Sequence, residues 1–163
     1  MNIRHSTPED FESILSVYDY AREFMRRNGN PTQWGPTHPS VERLREDIED
    51  GVGYVITEDD IIVGAFAFIV GEDPTYAEIR EGHWLNDQPY GTIHRNASNG
   101  KAKGIFDAML GFCESQIDNI RVDTHRDNAP MLHLLESRGF VRCGLITTDD
   151  GTERIAFQKV LGA

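Results

Sequence analysis

A short basic segment with small side chains constrains this chain more than any other stretch of its sequence. It reads RNASNGKAKGIF over residues 95–106, between a strand pattern and the helical pattern AMLGFCES. Four small residues leave the backbone open and two lysines add charge: Ser98, Gly100, Ala102, Gly104, Lys101 and Lys103. A helix N-terminus has unpaired amides and partial positive charge, so such a loop can bind phosphate. The alternative is an ordinary glycine-containing turn with solvated lysines.

The overall charge limits what this loop can serve. With 27 acidic and 16 basic residues the formal net charge is −11, which repels nucleic acid and anionic membranes. We therefore expect no nucleic-acid partner and no membrane partner, and a small ligand at the loop. The loop lacks the terminal Lys with Ser or Thr of a Walker motif and the GxGxxG of dinucleotide folds.

The rest of the composition is that of a cytoplasmic globular protein. No apolar run approaches the roughly 20 residues of a membrane helix, and the N-terminus lacks the apolar core of a signal peptide. Cys113 and Cys143 fall in a predicted helix and a predicted strand. This placement favours buried free thiols over a disulfide, and we expect no metal.

Hydrophobic periodicity predicts a mixed α/β (α+β) chain with one sheet. In order, the pattern indicates a strand, two helices, a β-hairpin, a strand, a helix, a strand, a helix and a closing hairpin. The segment from Gly71 to Gln88 is polar and irregular. A chain of 163 residues suits one domain, 1–163.

Two motifs in this order resemble the GNAT superfamily of acyl-CoA-dependent N-acyltransferases. In that family a segment of Gln or Arg, two residues, Gly, one residue and Gly or Ala wraps the coenzyme A pyrophosphate. Residues 101–106, KAKGIF, take that register, with Lys101 at the first position and Phe106 at the last. The later segment DNAPMLHLLESRGF matches the family's second motif at Asn128, Met131, Leu134, Gly139 and Phe140.

The resemblance implies a GNAT-like mixed sheet of about six to seven strands flanked by about four helices. It implies an enzyme, an N-acetyltransferase that moves an acetyl or short acyl group from acetyl-CoA to a primary amine of a small molecule or peptide. Transfer would be direct, in a ternary complex. The implied coenzyme A binding residues are Asn96, Ala97, Ser98, Lys101, Ala102, Lys103, Gly104, Ile105, Phe106 and Asn128.

Two other functions stay open at this point. One is a noncatalytic acyl-CoA-binding or sensing domain with the same fold. The other is a protein-interaction domain whose basic loop binds no cofactor.

The catalytic side chains are less clear from the motifs. A tyrosine of the family's later helix often protonates the departing thiolate, and the matching position here is Leu135. We expect His94, His125 and Tyr90, at the ends of predicted strands, to act instead. The alternatives are a half-exposed strand histidine for His94 and a polar capping turn for His125.

Aromatic residues in the irregular segments are candidates for the acceptor site. Trp34, Tyr76 and Trp84 lie in loops, which often line binding sites. Acidic residues nearby favour a cationic amine acceptor: Glu72, Asp73, Glu78 and Glu81. The same aromatics also suit the edge of a core or the contact of a homodimer, and the same acids suit a solvated surface.

Overall fold

The computed structural model describes residues 1–162 and is built around one seven-stranded sheet. The strands are β1 (Asn2–His5), β2 (Gly53–Glu58), β3 (Ile61–Val70), β4 (Gly91–Ser98), β5 (Asn119–Thr124), β6 (Val141–Thr147) and β7 (Glu153–Val160). The helices are α1 (Phe11–Arg27), α2 (Val41–Glu49), α3 (Ile105–Gln116) and α4 (Ala129–Ser137). Short 3₁₀ turns precede α1 and lie at Pro74–Tyr76.

The sheet is mixed and split near its middle. Its strand order is β1-β2-β3-β4-β5-β7-β6, and every neighbouring pair is antiparallel except β4 and β5. These two parallel strands pair only at their first residues, Gly91 with Ile120 and Thr92 with Arg121. The second half of β4 therefore has β3 on one side and a gap on the other.

Helices cover both faces of the sheet. The alternation of side chains along a strand sends Val55 and Ala65 to one face and their neighbours Ile56 and Phe66 to the other. The first face packs against α1 and α2, with Ile14, Tyr18 and Leu44 in the core. The second face packs against α3 and α4, with Met109, Cys113 and Leu135 in the core.

The structure confirms the predicted mixed α/β architecture, with seven strands and four helices in the expected order. Ser40 caps α2 by accepting a hydrogen bond from the Arg43 amide at 3.1 Å. Both cysteines are free and buried, as predicted. Among residues 1–162, no helix is both long and apolar enough to cross a membrane.

Candidate active site

Two cavities open beside the split between β4 and β5. The first, of about 410 Å³, lies among α1, the end of β4, the loop that follows it, and the starts of α3 and α4. The second, of about 370 Å³, lies among β4, β5, β7 and the segment between α1 and α2. Four residues line both cavities: Met25, Asn96, Asn128 and Met131. A ligand in the first cavity can therefore meet a ligand in the second.

Most residues expected to bind the cofactor line the first cavity. They are Asn96, Ala97, Ser98, Ala102, Gly104, Ile105, Phe106 and Asn128. Lys101 and Lys103 lie outside this lining and are exposed on the loop. Helix α1 also brings Tyr20, Phe24 and Met25 to the cavity, a contribution that the two motifs do not predict. Tyr20 and Phe24 are aromatic residues that lie off the buried face of α1. Two aromatic side chains outside the core face are the sequence feature that could indicate this contribution of α1 to the cavity.

The loop before α3 keeps its backbone open to the cavity. Gly104 is the residue before the helix and has φ +75°, a left-handed conformation that favours glycine. A Cβ added there would meet nothing within 4 Å in the described structure. The first intrahelical hydrogen bond runs from the Ala108 amide to the Gly104 carbonyl at 3.0 Å. The amides of the first turn therefore have no intrahelical partner, and the site fits a phosphate-bearing group.

A bulge in β4 lies where the two cavities meet. His94 pairs with Ala67 and Ala97 pairs with Ala65, so Arg95 and Asn96 together oppose one residue of β3. Arg95 has φ +51°, which is strained for a residue with a side chain.

Two contacts hold this bulge in place. The buried Tyr18 hydroxyl donates a hydrogen bond to the Arg95 carbonyl at 2.5 Å. The Arg95 guanidinium binds both carboxylate oxygens of Asp47, at 2.8 and 2.9 Å. Burial raises the pKa of Tyr18 well above its usual value, so its hydroxyl stays protonated and can donate. Because the C=O and N–H of a trans peptide point in opposite directions, the Asn96 amide points away from Tyr18.

His94 lines the second cavity and is hydrogen-bonded to an acid. Its Nε2 lies 2.9 Å from Oδ2 of Asp73. Burial would raise the pKa of Asp73, but hydrogen bonds from His94 and Thr75 outweigh it and lower this pKa to about 2. Asp73 is thus charged at neutral pH and accepts the Nε2 proton. In neutral His94 the lone pair is then on Nδ1.

The other two candidate catalytic residues lie elsewhere. The Tyr90 hydroxyl accepts a hydrogen bond from the Asp73 amide at 2.8 Å, and Tyr90 is buried and not among the residues that line the second cavity. His125 lines a third cavity of about 290 Å³ and lies outside the first two. Its Nδ1 accepts a hydrogen bond from the Asp127 amide at 3.0 Å. Burial and the nearby Arg154 and Arg126 lower its pKa, although Asp127 opposes them.

Of the three aromatic residues that are candidates for the acceptor site, only one lines the second cavity. Trp34 lines the second cavity, whereas Tyr76 and Trp84 lie behind it. Trp84 donates to the Tyr76 carbonyl at 2.9 Å, and the Arg121 guanidinium stacks on Trp84 at 4.0 Å. Tyr76 instead donates its hydroxyl to Asp123 at 2.7 Å.

The lining of the second cavity is more highly charged than the sequence analysis predicted. Of the acids considered there, Asp73 lines it, and Glu72, Glu78 and Glu81 do not. Its ionisable lining comprises Asp73, Asp123, Asp149, Asp150, His38, His94, Arg43, Arg95 and Arg154. Within residues 1–162, no group of three or more His, Cys, Asp or Glu side chains is arranged to hold a metal ion.

Comparisons with known proteins agree on one fold. No protein-family model matches the sequence, and no curated protein matches it either. A GNAT-family acetyltransferase from Streptococcus agalactiae is 28% identical, with a TM-score of 0.89 over 99% of this chain and 96% of that one. One from Listeria monocytogenes is 20% identical, with a TM-score of 0.72 over 98% of this chain and 94% of that one. The NatC complex bound to Gag peptide and CoA contains a chain 16% identical, with a TM-score of 0.62 over 99% of both chains.

These similarities extend over nearly the whole of each chain. The two sequence motifs lie beside the split between β4 and β5, near the middle of the sheet. The chain is assigned to the GNAT superfamily, whose fold it shares with the Streptococcus agalactiae acetyltransferase over nearly its whole length.

Proposed function

We propose that this protein is an N-acetyltransferase that moves an acetyl or short acyl group from acetyl-CoA directly to a primary amine of a small molecule or peptide. The observation that carries the proposal is the meeting of two cavities at Asn96, beside the bulge of β4. One cavity has the open backbone that a pyrophosphate needs, and the other has a histidine bonded to a carboxylate.

The first cavity would hold the coenzyme. The unpaired amides at the start of α3 and the open backbone at Gly104 suit the pyrophosphate. The exposed Lys101 and Lys103 add positive charge at the rim. Acetyl-CoA, when bound, supplies an activated thioester, so positioning accounts for much of the rate.

Near the junction, the Asn96 amide is the proposed donor to the oxyanion that develops on the thioester carbonyl. Tyr18 and Asp47 hold that amide in its orientation through Arg95. The acceptor amine would lie in the second cavity. There His94 takes its proton at Nδ1, directly or through water, while Asp73 holds the ring and the Nε2 proton.

No side chain is assigned to protonate the thiolate. Leu135, at the position of the family's tyrosine, is fully buried in the core. The four residues that line both cavities carry no acid: Met25, Asn96, Asn128 and Met131. Water or the proton released by the amine fills this role in the proposal.

Titration of acetyl-CoA and of CoA into the purified protein tests the first cavity. The key variant is Gly104→Glu, which puts a carboxylate where the pyrophosphate would bind. Gly104→Asn keeps a left-handed-tolerant residue without charge, so it separates backbone strain from charge. Gly111→Glu is the matched control, since Gly111 is exposed on the same helix with nothing within 4 Å of an added Cβ.

We expect saturable binding to the wild type, to Gly104→Asn and to Gly111→Glu, and its loss in Gly104→Glu. Release of free CoA on adding amines then supports the enzyme. Binding without release for any amine would instead favour the noncatalytic acyl-CoA-binding domain, for which the apolar Leu135 is the supporting feature. Absence of binding to the wild type would overturn the proposal.

A further inference from the structure

A buried arginine in the wall of the second cavity has fewer hydrogen-bond partners than its guanidinium has N–H donors. Arg154, on β7, is only 8% exposed. Its Nη2 donates to the Gln33 carbonyl at 3.0 Å, and its buried Nε has no hydrogen-bond partner in the described residues. A guanidinium has five N–H donors, and leaving them unpaired in a buried place is costly.

The nearest carboxylate does not satisfy this arginine. Oδ1 of Asp123 lies 3.9 Å from Nη1 of Arg154, beyond hydrogen-bond reach. The other carboxylate oxygen of Asp123 accepts the Tyr76 hydroxyl at 2.7 Å, which ties the side chain to the wall behind it. Arg154 and Asp123 thus present a cation and an anion side by side to the same cavity.

The charges around this pair differ between the sides of the cavity. β4 contributes His94 to the cavity that Arg154 lines, and the loop after β3 contributes its partner Asp73. Burial, followed by the positive charges of Arg95 and Arg154, lowers the pKa of His38, which lines the same cavity. Arg43 adds another cation, although it is half-exposed and paired with Glu46 at 3.1 Å.

Two carboxylates of the β6–β7 turn also line the cavity. Asp150 is folded into the turn, where it accepts the Thr152 amide at 3.0 Å, and Asp149 lies in the exposed tip. The charge of Asp150 acts in the opposite direction on the pKa of His38. The turn side of the cavity is therefore acidic, and Arg154 adds a buried cation to the same lining.

We propose that Arg154 binds a carboxylate of the acceptor, so that the acceptor is a free amino acid or a similar small molecule with an amine close to its carboxylate. The inference rests on the proposed acetyl transfer and names its substrate class. The acceptor amine lies toward Asp123 and His94, and its carboxylate binds the part of the Arg154 guanidinium that lines the cavity. A cavity of about 370 Å³ suits a molecule of this size.

Matched acceptor pairs test this inference. Each standard amino acid with a primary α-amine is compared with its own α-carboxamide, which has the same side chain and an α-amine at the same place but no α-carboxylate. CoA release gives kcat/KM for each pair in the wild type, Arg154→Gln, Arg154→Lys and Arg43→Gln. Titration of acetyl-CoA into every variant reports cofactor binding separately.

For at least one pair, we expect the wild type to prefer the acid over its amide by about tenfold or more, as a charge-assisted hydrogen bond supplies. Arg154→Gln should bring that ratio close to one, with acetyl-CoA affinity retained. Arg154→Lys should keep part of the preference, because it keeps the charge but loses the planar fork. Arg43→Gln should change the ratio less than Arg154→Gln.

Three results would overturn the inference. One is equal turnover of acids and amides by the wild type. Another is an acid preference that survives in Arg154→Gln. The third is tight acetyl-CoA binding with no amino acid accepted, which excludes this substrate class while the acetyltransferase proposal stands. Failure of acetyl-CoA to bind the wild type removes the proposed function and this inference together, and the titration alone detects it.

Discussion

At the scale of single residues, His94 shows what sequence can and cannot reveal. Its place at the mouth of a predicted strand marked it as a candidate, and the structure puts it in the second cavity. Its partner Asp73 is 21 residues away in the irregular segment, which has no periodicity to relate it to β4. The position of Tyr90 at the start of a strand predicts a catalytic role, whereas in the structure its hydroxyl accepts a hydrogen bond from the Asp73 amide. Only the path of the loop decides such contacts.

Replacing His94 tests the proposed base. We expect His94→Gln to lower kcat/KM by about 100-fold, the usual contribution of a general base. The affinity for acetyl-CoA should not change, since His94 lines only the second cavity.

Steady-state kinetics and titration of acetyl-CoA provide the two measurements. His133→Gln is the matched control, because His133 is exposed on α4 and lines none of the three cavities. A kcat/KM of His94→Gln equal to that of His133→Gln would exclude His94 as the base.

At the scale of elements, the bulge of β4 depends on helices far away in sequence. Tyr18 was predicted as one of the apolar-face residues of α1, and it is buried there. Its hydroxyl, however, reaches a carbonyl 77 positions later, and Asp47 reaches the Arg95 side chain over 48 positions. Periodicity locates a core face but says nothing of a polar atom at its end. The role of α1 at the cavities was missed for the same reason.

Removing the Tyr18 hydroxyl should weaken the positioning of the β4 bulge, while the buried ring still fills its place in the core. We expect Tyr18→Phe to cost about 1 kcal/mol of unfolding free energy and to lower kcat about tenfold, less than the loss of an oxyanion donor itself. Affinity for CoA, which has no thioester carbonyl, should be retained.

Denaturant unfolding, steady-state kinetics and CoA titration measure the three effects. Tyr54→Phe is a suitable control, since Tyr54 is part of the packing around the other core and lines neither of the two large cavities. Equal losses of kcat in the two variants would argue against a role for Tyr18 in positioning the amide.

At the scale of the whole molecule, the order of elements was predictable and their junctions were not. Capping residues, turn residues and apolar periodicity are local signals that specify each strand and helix. The seven strands and four helices can therefore be predicted from the sequence. The early end of β4–β5 pairing has no local signal, because it depends on how two distant strands diverge. The residues that line the second cavity come from six separate segments for this reason.

An acid at the start of α1 should make global stability depend on pH. Asp10 accepts two hydrogen bonds from Arg4, at 2.7 and 2.9 Å, and one from the Thr7 amide at 2.8 Å. The Arg4 guanidinium, more than any other contact, lowers the pKa of Asp10 to about 2. Since the folded pKa is below the unfolded one, this stabilisation is complete above about pH 4 and is lost as the pH falls through 2.

We therefore expect Asp10→Asn to lower the free energy of unfolding by about 1–2 kcal/mol at pH 7, with the difference from wild type shrinking between pH 4 and pH 2. Urea unfolding at several pH values checks this. Glu9→Gln, at an exposed acid of the same turn, should have little effect. A constant difference between Asp10→Asn and wild type down to pH 2 would contradict the expectation.

The split between β4 and β5 also has a consequence for intermolecular strand pairing. Beyond Thr92 and Arg121, the two strands are edge strands inside the sheet, and unpaired edges are templates for intermolecular β-pairing. Here α1 and the start of α4 flank the opening, at Met25 and Met131. An incoming strand would have to pass these two helices before it could pair with either edge. The helices that line the proposed substrate cavities therefore also shield two strand edges from intermolecular pairing.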